Sequence, residues 1–529
     1  MKRFTKILFV VFRILFRTWD LAANFIFQKV IYPKPKRELP DINDLILLDS
    51  ATSLAAKIRH RKITSVEVVK SFIKRIEAVN PLLNAVVDKR YEEALKDAEA
   101  ADELLSSGKK TFEELEQDLP FLGVPFTTKV SVAVEGMALT AGLVKRKNMR
   151  AKKDAHTVAI LRKAGAIPLA NTNVSELCMW WESSNNVHGR TNNAYDQNRI
   201  VGGSSGGEAC LQSAAASPMG MGSDIGGSIR MPCFFNGVFG HKASTGIVSN
   251  HGQEPEAMGD LDTFMSTGPI VRNAVDLMPL FKLLAGPNVS KLQLDKKVDL
   301  SQIKIYYMEH DGGFPFCSKV DSDIKDAIQR AIGHFRCAYN IKASRASIKG
   351  LSRSFEIWAT KMFAVEEAYS WSEELALRKG SVNLYWELCK WFVGMSENTL
   401  PSLGLGLSEI FKRELNHPET QKFLSMCNDL KREFQALLGD NGIFMYPTHP
   451  TAAPYHNQPL CRPFNFSYTA IFNVLGLPAT QVPMGIGQNG VPVGLQVVGA
   501  LYMDHLTIAA ACELEKSFGG WVSPSKISC

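Results

Sequence analysis

The spacing of apolar and polar positions separates an N-terminal arm from a body of alternating strands and helices. Residues 4–31, FTKILFVVFRILFRTWDLAANFIFQKVI, are the longest apolar-rich stretch, interrupted by Lys6, Arg13, Arg17 and Asp20. On a helix these four, with Asn24 and Gln28, fall within about 40° of one line and leave the remaining circumference apolar. Such a narrow stripe predicts a helix lying in a bilayer interface with its cations toward anionic headgroups. A spanning helix is the alternative, at about 2.5–3.5 kcal/mol for each centrally placed charge. A signal peptide fits less well because the apolar run before Arg13 is short, and a transit peptide because serine is absent. Pro33, Pro35 and Pro40 then end the helix, so residues 1–40 read as an anchor with its linker.

Beyond the linker the period changes repeatedly. Residues 51–78 carry helical spacing, with Thr64 and Ser65 as a cap ahead of Val66, Val69, Phe72, Ile73 and Ile76. NPLLNAVV ends that pattern and starts a strand, and residues 89–110 form a charged helix. FLGVPFTTKVSV predicts a buried strand ending at Lys129, while AIPLANTNV and SPMGMGSDIGG predict further strands that run into loops. Residues 290–440 are helix-rich. GIFMYPTHP and GVPVGLQVVGA then read as strands and DHLTIAAACELEKSF as a closing helix. Strands alternating with helices give an α/β class, and no fixed-period repeat emerges.

Composition narrows the field. With 529 residues, 45% hydrophobic and 21% charged, the chain is neither collagen-like nor disordered. Its formal charge is +7, yet residues 1–40 alone hold nine Lys/Arg against Asp20 and Glu38, so the remainder is balanced. That distribution excludes a large nucleic-acid face on the body. The ten cysteines lie far apart, with no CxxC and no Cys/His cluster, so neither a disulfide framework nor a metal site is expected, and a reducing compartment is.

Chemistry concentrates in residues 202–232, GGSSGGEACLQSAAASPMGMGSDIGGSIRMP. Glycines let backbone N–H groups approach an anion or a developing oxyanion without Cβ obstruction. A phosphate loop is disfavoured, since GxxxxGK[ST] is missing and the stretch has no lysine. Residues 202–206 match GxSxG, but NNAYDQNRIV ahead of them is a poor strand for a nucleophile elbow. The third reading is a pair of serine loops serving one hydrolytic site.

GGSSGGEA followed by GSDIGGSIRMP resembles the amidase signature family. TSVEVVKSFIKRIEAVNPLLNAVV, LGVPFTTK, STGPIVRNAVDL and GLPATQVPMGIGQNGVPVGLQVVG extend the resemblance over most of residues 50–515. Within the family, SELCMWWESSNNVHGRTNN, MEHDGG, RPFNFSYTAIFNVLGLP and the apolar arm are most similar to the membrane-bound fatty-acid amide hydrolases, the second type in particular. The resemblance implies a large mixed sheet surrounded by helices, with residues 41–529 as the catalytic domain.

It also implies a Ser-Ser-Lys triad: Ser228 as nucleophile, Ser204 as proton bridge and Lys129 as general base, with an oxyanion on the amides of Ile225, Gly226, Gly227 and Ser228. An amide needs an activated nucleophile and protonation of a poor leaving group, and a lysine serves both only if burial keeps it neutral. Cys178 and Met179 fall where relatives line the acyl pocket, although such residues are core fillers by default. Ser205 reads as loop-shaping, Arg230 as holding the glycine loop or a carboxylate such as Asp224, and His310, His449 and His505 as structural or unassigned. Val130 and Ala243 depart from the family pattern without removing a triad member. The expected activity is hydrolysis of long-chain fatty acid amides at an intracellular membrane, endoplasmic reticulum or lipid droplet, with no metal or organic cofactor, no nucleic-acid partner and room for a homodimer. The rivals are an esterase using Ser204 or Ser205 with a distant histidine, a non-catalytic lipid-binding relative, and a soluble amidotransferase subunit.

Overall fold

Local signals set the first elements. The Thr64 hydroxyl accepts from the Glu67 N–H while the Glu67 carboxylate accepts from the Thr64 N–H, closing a capping box that starts the helix Ser65–Leu83. The helical pattern from residue 51 is thus two helices, Ala51–Arg59 and Ser65–Leu83. The computed structural model describes residues 2–365 and 367–528, with side chains from Val10 onward, so Lys6 of the stripe and Cys529 lie outside the described side chains.

The strands are β1 (Val86–Lys89), β2 (Pro125–Lys129), β3 (Ile167–Thr172), β4 (Ser184–Asn185), β5 (Gly189–Arg190), β6 (Met219–Asp224), β7 (Phe239–Lys242), β8 (Ser266–Val271), β9 (Lys304–Tyr307), β10 (Ser344–Arg345), β11 (Gly442–Tyr446), β12 (Ala479–Ile486) and β13 (Pro492–Gly499). Eleven of them form one mixed sheet in the order β1-β3-β2-β6-β8-β7-β12-β13-β11-β9-β10, and β4 pairs with β5 apart from it. The run β3-β2-β6 is parallel, β6 through β11 alternate antiparallel, and β11-β9-β10 is parallel again. Every residue of β2, β3, β6, β7, β8 and β13 is buried, as a sheet covered by helices on both faces requires. The mixed sheet surrounded by helices agrees with the expected class. Strands β9 and β10 interrupt the stretch that reads as helix-rich, being only four and two residues long.

The N-terminal helix Lys2–Ile26 departs from expectation in its orientation. Asp20 pairs with the buried Arg462 at 2.8 Å, Asn24 accepts from Arg462 and Gln458, and Arg13 donates to the Gly313 carbonyl. Part of the stripe therefore faces the body of the protein, where charged and carbonyl partners await it, instead of headgroups. Ile14, Leu15, Trp19, Leu21 and Phe25 are exposed in consequence. Among the described residues, no helix is long and apolar enough to cross a membrane.

Candidate active site

The site lies where β2 and β6, adjacent and parallel, reach their carboxyl ends, the usual position for a ligand crevice in an α/β sheet. Lys129 is the last residue of β2 and Asp224 the last of β6, so the loop Ile225–Ser228 leaves the sheet beside the lysine. Ser204 and Ser205 immediately precede the helix Gly206–Ser213, which packs against both strands. The Ser205 N–H donates to the Ser228 carbonyl at 3.2 Å and ties the two serine loops together.

Lys129 is fully buried, and its Nζ donates to Ser204 Oγ at 2.9 Å and to Ser223 Oγ at 2.8 Å. Burial pushes its ammonium below the ordinary lysine value, opposed by the Cys178 side chain and the Asp224 and Glu208 carboxylates. Glu208, fully buried and accepting from the Thr127 and Thr172 hydroxyls, is itself pushed up to about 7 by burial. Ser228 is 8% exposed, and among the described residues its hydroxyl has no hydrogen-bond partner. Lys129 and Ser204 are thus in direct contact, whereas Ser204 and Ser228 face one site without a bond between their hydroxyls.

The loop carrying Ser228 is held by charge. Arg230 grips the Asp224 carboxylate with Nε at 3.1 Å and Nη2 at 3.0 Å, both side chains fully buried, and also donates to Thr469, Gln496 and Asn473. This agrees with the reading of Arg230 as a support of the glycine loop. Asp224 in turn accepts the Gly227 N–H at 2.7 Å and the Ile229 N–H at 3.1 Å. Of the expected oxyanion set, the Gly227 amide donates to the carboxylate, while those of Ile225, Gly226 and Ser228 have no partner among the described residues. Gly227 sits at φ +125°, where a Cβ would come within 2.1 Å of Thr469 Oγ1, so no other residue fits the turn.

Burial alone would raise the Asp224 carboxyl, but the Arg230 guanidinium more than reverses that and holds it at about 2. Its contribution to stability is therefore complete above the ordinary Asp value of about 3.9 and is lost as pH falls through about 2. Arg230→Ala leaves a buried carboxylate unpaired, and denaturant melts at neutral pH are expected to show a loss of about 3–5 kcal/mol.

Two cavities meet at Ser228. The wide one, about 760 Å3, is walled mainly by apolar groups including Met231, Phe355, Trp358, Phe423 and Phe464. A narrow one, about 150 Å3, passes Ser204, Ser223 and Asp224 toward Glu254 and Glu256. Cys178 and Met179 line both, and no histidine is among the lining residues of either. His449 is fully buried between the Trp181 and Phe235 rings and is pushed down to about 3 by burial. The esterase rival is thus left without a histidine lining either cavity.

Two members of the site escaped the sequence reading. Ser223, the second acceptor of Lys129, belongs to the GSD of the signature, and its position in β6 next to Asp224 was the available signal. Glu208 sits in the helix after GGSSGG, where the sequence alone gives no sign that it packs beneath the lysine strand.

The family model described as Amidase matches residues 67–508. The chain is 47% identical to "Fatty-acid amide hydrolase 2" of Homo sapiens, covering 92% of both chains, and 44% identical to "Fatty-acid amide hydrolase 2-A" of Danio rerio, covering 96% of both. Among solved structures, one titled "Fatty acid amide hydrolase" superposes with a TM-score of 0.70 at 21% identity, over 90% of this chain and 86% of that one. Another, "Crystal structure of amidase", gives 0.71 at 24% identity, over 89% and 100%.

Proposed function

This chain belongs to the amidase family, and on that premise we propose that it hydrolyses long-chain fatty acid amides through an acyl-enzyme on Ser228. The observation that carries the reading is the buried Lys129 hydrogen-bonded to Ser204, whose loop is tied to the Ser228 that lines an apolar cavity. Neutral Lys129 accepts the Ser228 proton through Ser204 once the Ser228 hydroxyl turns onto Ser204 Oγ, a contact that tightens as substrate binds. Ser228 Oγ attacks the carbonyl carbon, and the oxyanion meets the amides of Ile225, Gly226 and Ser228. Lys129 returns the proton through Ser204 to the leaving nitrogen, the C–N bond breaks and the amine or ammonia departs. Water then adds to the acyl-enzyme, giving its proton to the same relay, and the fatty acid leaves with Ser228 restored.

The substrate class is supported by the wide cavity, whose about 760 Å3 suits a flexible chain and whose walls are mainly apolar. A series of primary amides tests it. Each added methylene gains about 0.8 kcal/mol on burial, so kcat/KM is expected to climb about fourfold per carbon until the cavity is filled. A profile flat from short to long chains contradicts the reading.

We place the anchor in residues 1–40 and the catalytic domain in 41–529, acting at an intracellular membrane of the endoplasmic reticulum or lipid droplet. Phe464 of the cavity wall packs on Phe316, which packs on Phe12 and Phe16 of the N-terminal helix. Leu460 and Phe411, which also line the cavity, are exposed, so its mouth and the apolar flank of the helix can share one lipid surface. Leu15 and Trp19, 60% and 54% exposed, face away from the body. The double variant Leu15→Glu/Trp19→Glu is expected to bind anionic vesicles about a hundredfold more weakly in flotation assays, since two large apolar side chains are lost.

A further inference from the structure

The two cavities that meet at Ser228 differ in charge. The narrow one is lined by Asp224, Glu254, Glu256, Glu374 and Glu409, with no lysine, arginine or histidine among its lining residues. Three guanidinium groups stand behind this wall: Arg230 holds Asp224 at 3.0 Å, Arg146 holds Glu254 at 2.7 Å, and Arg378 holds Glu374 at 2.9 Å with Glu256 at 3.7 Å. Glu409 is held by the Trp371 N–H at 2.8 Å, and burial raises its carboxyl above the ordinary glutamate value, opposed by that hydrogen bond and by the Lys412 ammonium. Five carboxylates against three guanidinium groups and the Lys412 ammonium leave the wall net negative, with the carboxylates and none of these cations lining the cavity. In the wide cavity the charges cancel locally, with Arg413 paired to Glu419 and Arg353 to Glu356. The inner end of the narrow cavity is Ser228, buried to 8% exposure with an unpartnered hydroxyl, beside Ser204 and Ser223.

The two sides of an amide diverge from its carbonyl carbon. With the acyl chain in the wide apolar cavity, the nitrogen substituent points into the narrow one. We infer that the narrow cavity receives the amine portion of the substrate and selects it by charge, taking neutral or cationic headgroups and excluding those that carry a carboxylate or sulfonate. This rests on the fatty-amide reading above. The half-buried Glu409 acts across a partly desolvated space, where a unit charge is screened less than in water, while the exposed Glu256 contributes less. The same field favours the ammonium form of the released amine over retention in the apolar cavity.

The test is kcat/KM for one acyl chain carried on five headgroups: primary amide, ethanolamide, the cationic mono-amide of ethylenediamine, and the anionic glycine and taurine conjugates. In the wild-type enzyme both anionic conjugates are expected to fall about tenfold or more below the ethanolamide, with the cationic one at or above it. The double variant Glu256→Gln/Glu409→Gln removes two charges and still presents a side-chain carbonyl oxygen to the Trp371 N–H. It is expected to narrow the anionic-to-neutral ratio at least about threefold and to move the cationic-to-neutral ratio the opposite way. Ratios taken within one preparation are insensitive to the fraction of enzyme folded. Equal use of anionic and neutral headgroups by the wild type, or ratios the double variant does not move, overturns the inference. Lack of turnover on the primary amide overturns the underlying reading instead.

Discussion

Ser228→Ala is expected to lower kcat/KM on a long-chain primary amide by on the order of 10⁴-fold or more, with the thermal midpoint unchanged. Ser228 is the one proposed reacting group that opens on both cavities. Its hydroxyl has no hydrogen-bond partner among the described residues, so deleting it strands no donor or acceptor. Substrate binding should survive, because the apolar walls and the free amides of Ile225 and Gly226 remain. A binding assay with intact amide on the variant, beside the rate measurement, separates lost chemistry from lost affinity.

Lys129→Met carries the second largest effect. It removes the general base and the proton donor to the leaving group together, for an expected loss of about 10²- to 10⁴-fold. In the wild type, activity falls as pH falls through the lowered lysine value, because the ammonium form cannot accept the Ser228 proton. The variant's residual rate lacks that acid limb. The linkage sign follows from the same shift. The unfolded chain keeps its lysine protonated up to about 10.4 while the folded chain releases the proton earlier, so this residue makes stability rise with pH between the two values. Methionine is apolar and similar in length, so the slope disappears and the variant at neutral pH is no less stable than wild type. A pH–rate profile and melts at several pH values check both statements.

The contrast between these residues and their surroundings shows what the sequence carries. Strands β2, β3, β6, β11, β13 and the closing helix follow runs whose period is plain, and the end of β2 at Lys129 was legible, but a lysine after an apolar strand is ordinarily a surface cap and its role came from resemblance alone. Ser204 and Ser228 stood out through their glycine neighbours and through resemblance. Ser223 did not, since its hydroxyl reaches Lys129 only because β2 and β6 are parallel neighbours, a pairing no local pattern states. The occupied Gly227 amide was hidden for a similar reason: it depends on Asp224 being turned inward by Arg230. For the N-terminal helix the pattern fixed which residues share a face, yet not what that face meets, and Arg462 lies more than four hundred residues away. The cavity walls gather residues from segments near 179, 231, 358, 405, 423 and 464, so their charge asymmetry becomes visible only in three dimensions.

The most direct test of the central claim is intact-protein mass spectrometry after treatment with a fluorophosphonate, which phosphonylates an activated serine. Wild-type protein is expected to gain one adduct, Ser228→Ala none, and Ser204→Ala and Lys129→Ala the same adduct at a slower rate. Undiminished labelling of Ser228→Ala contradicts the account and assigns the nucleophile to another serine.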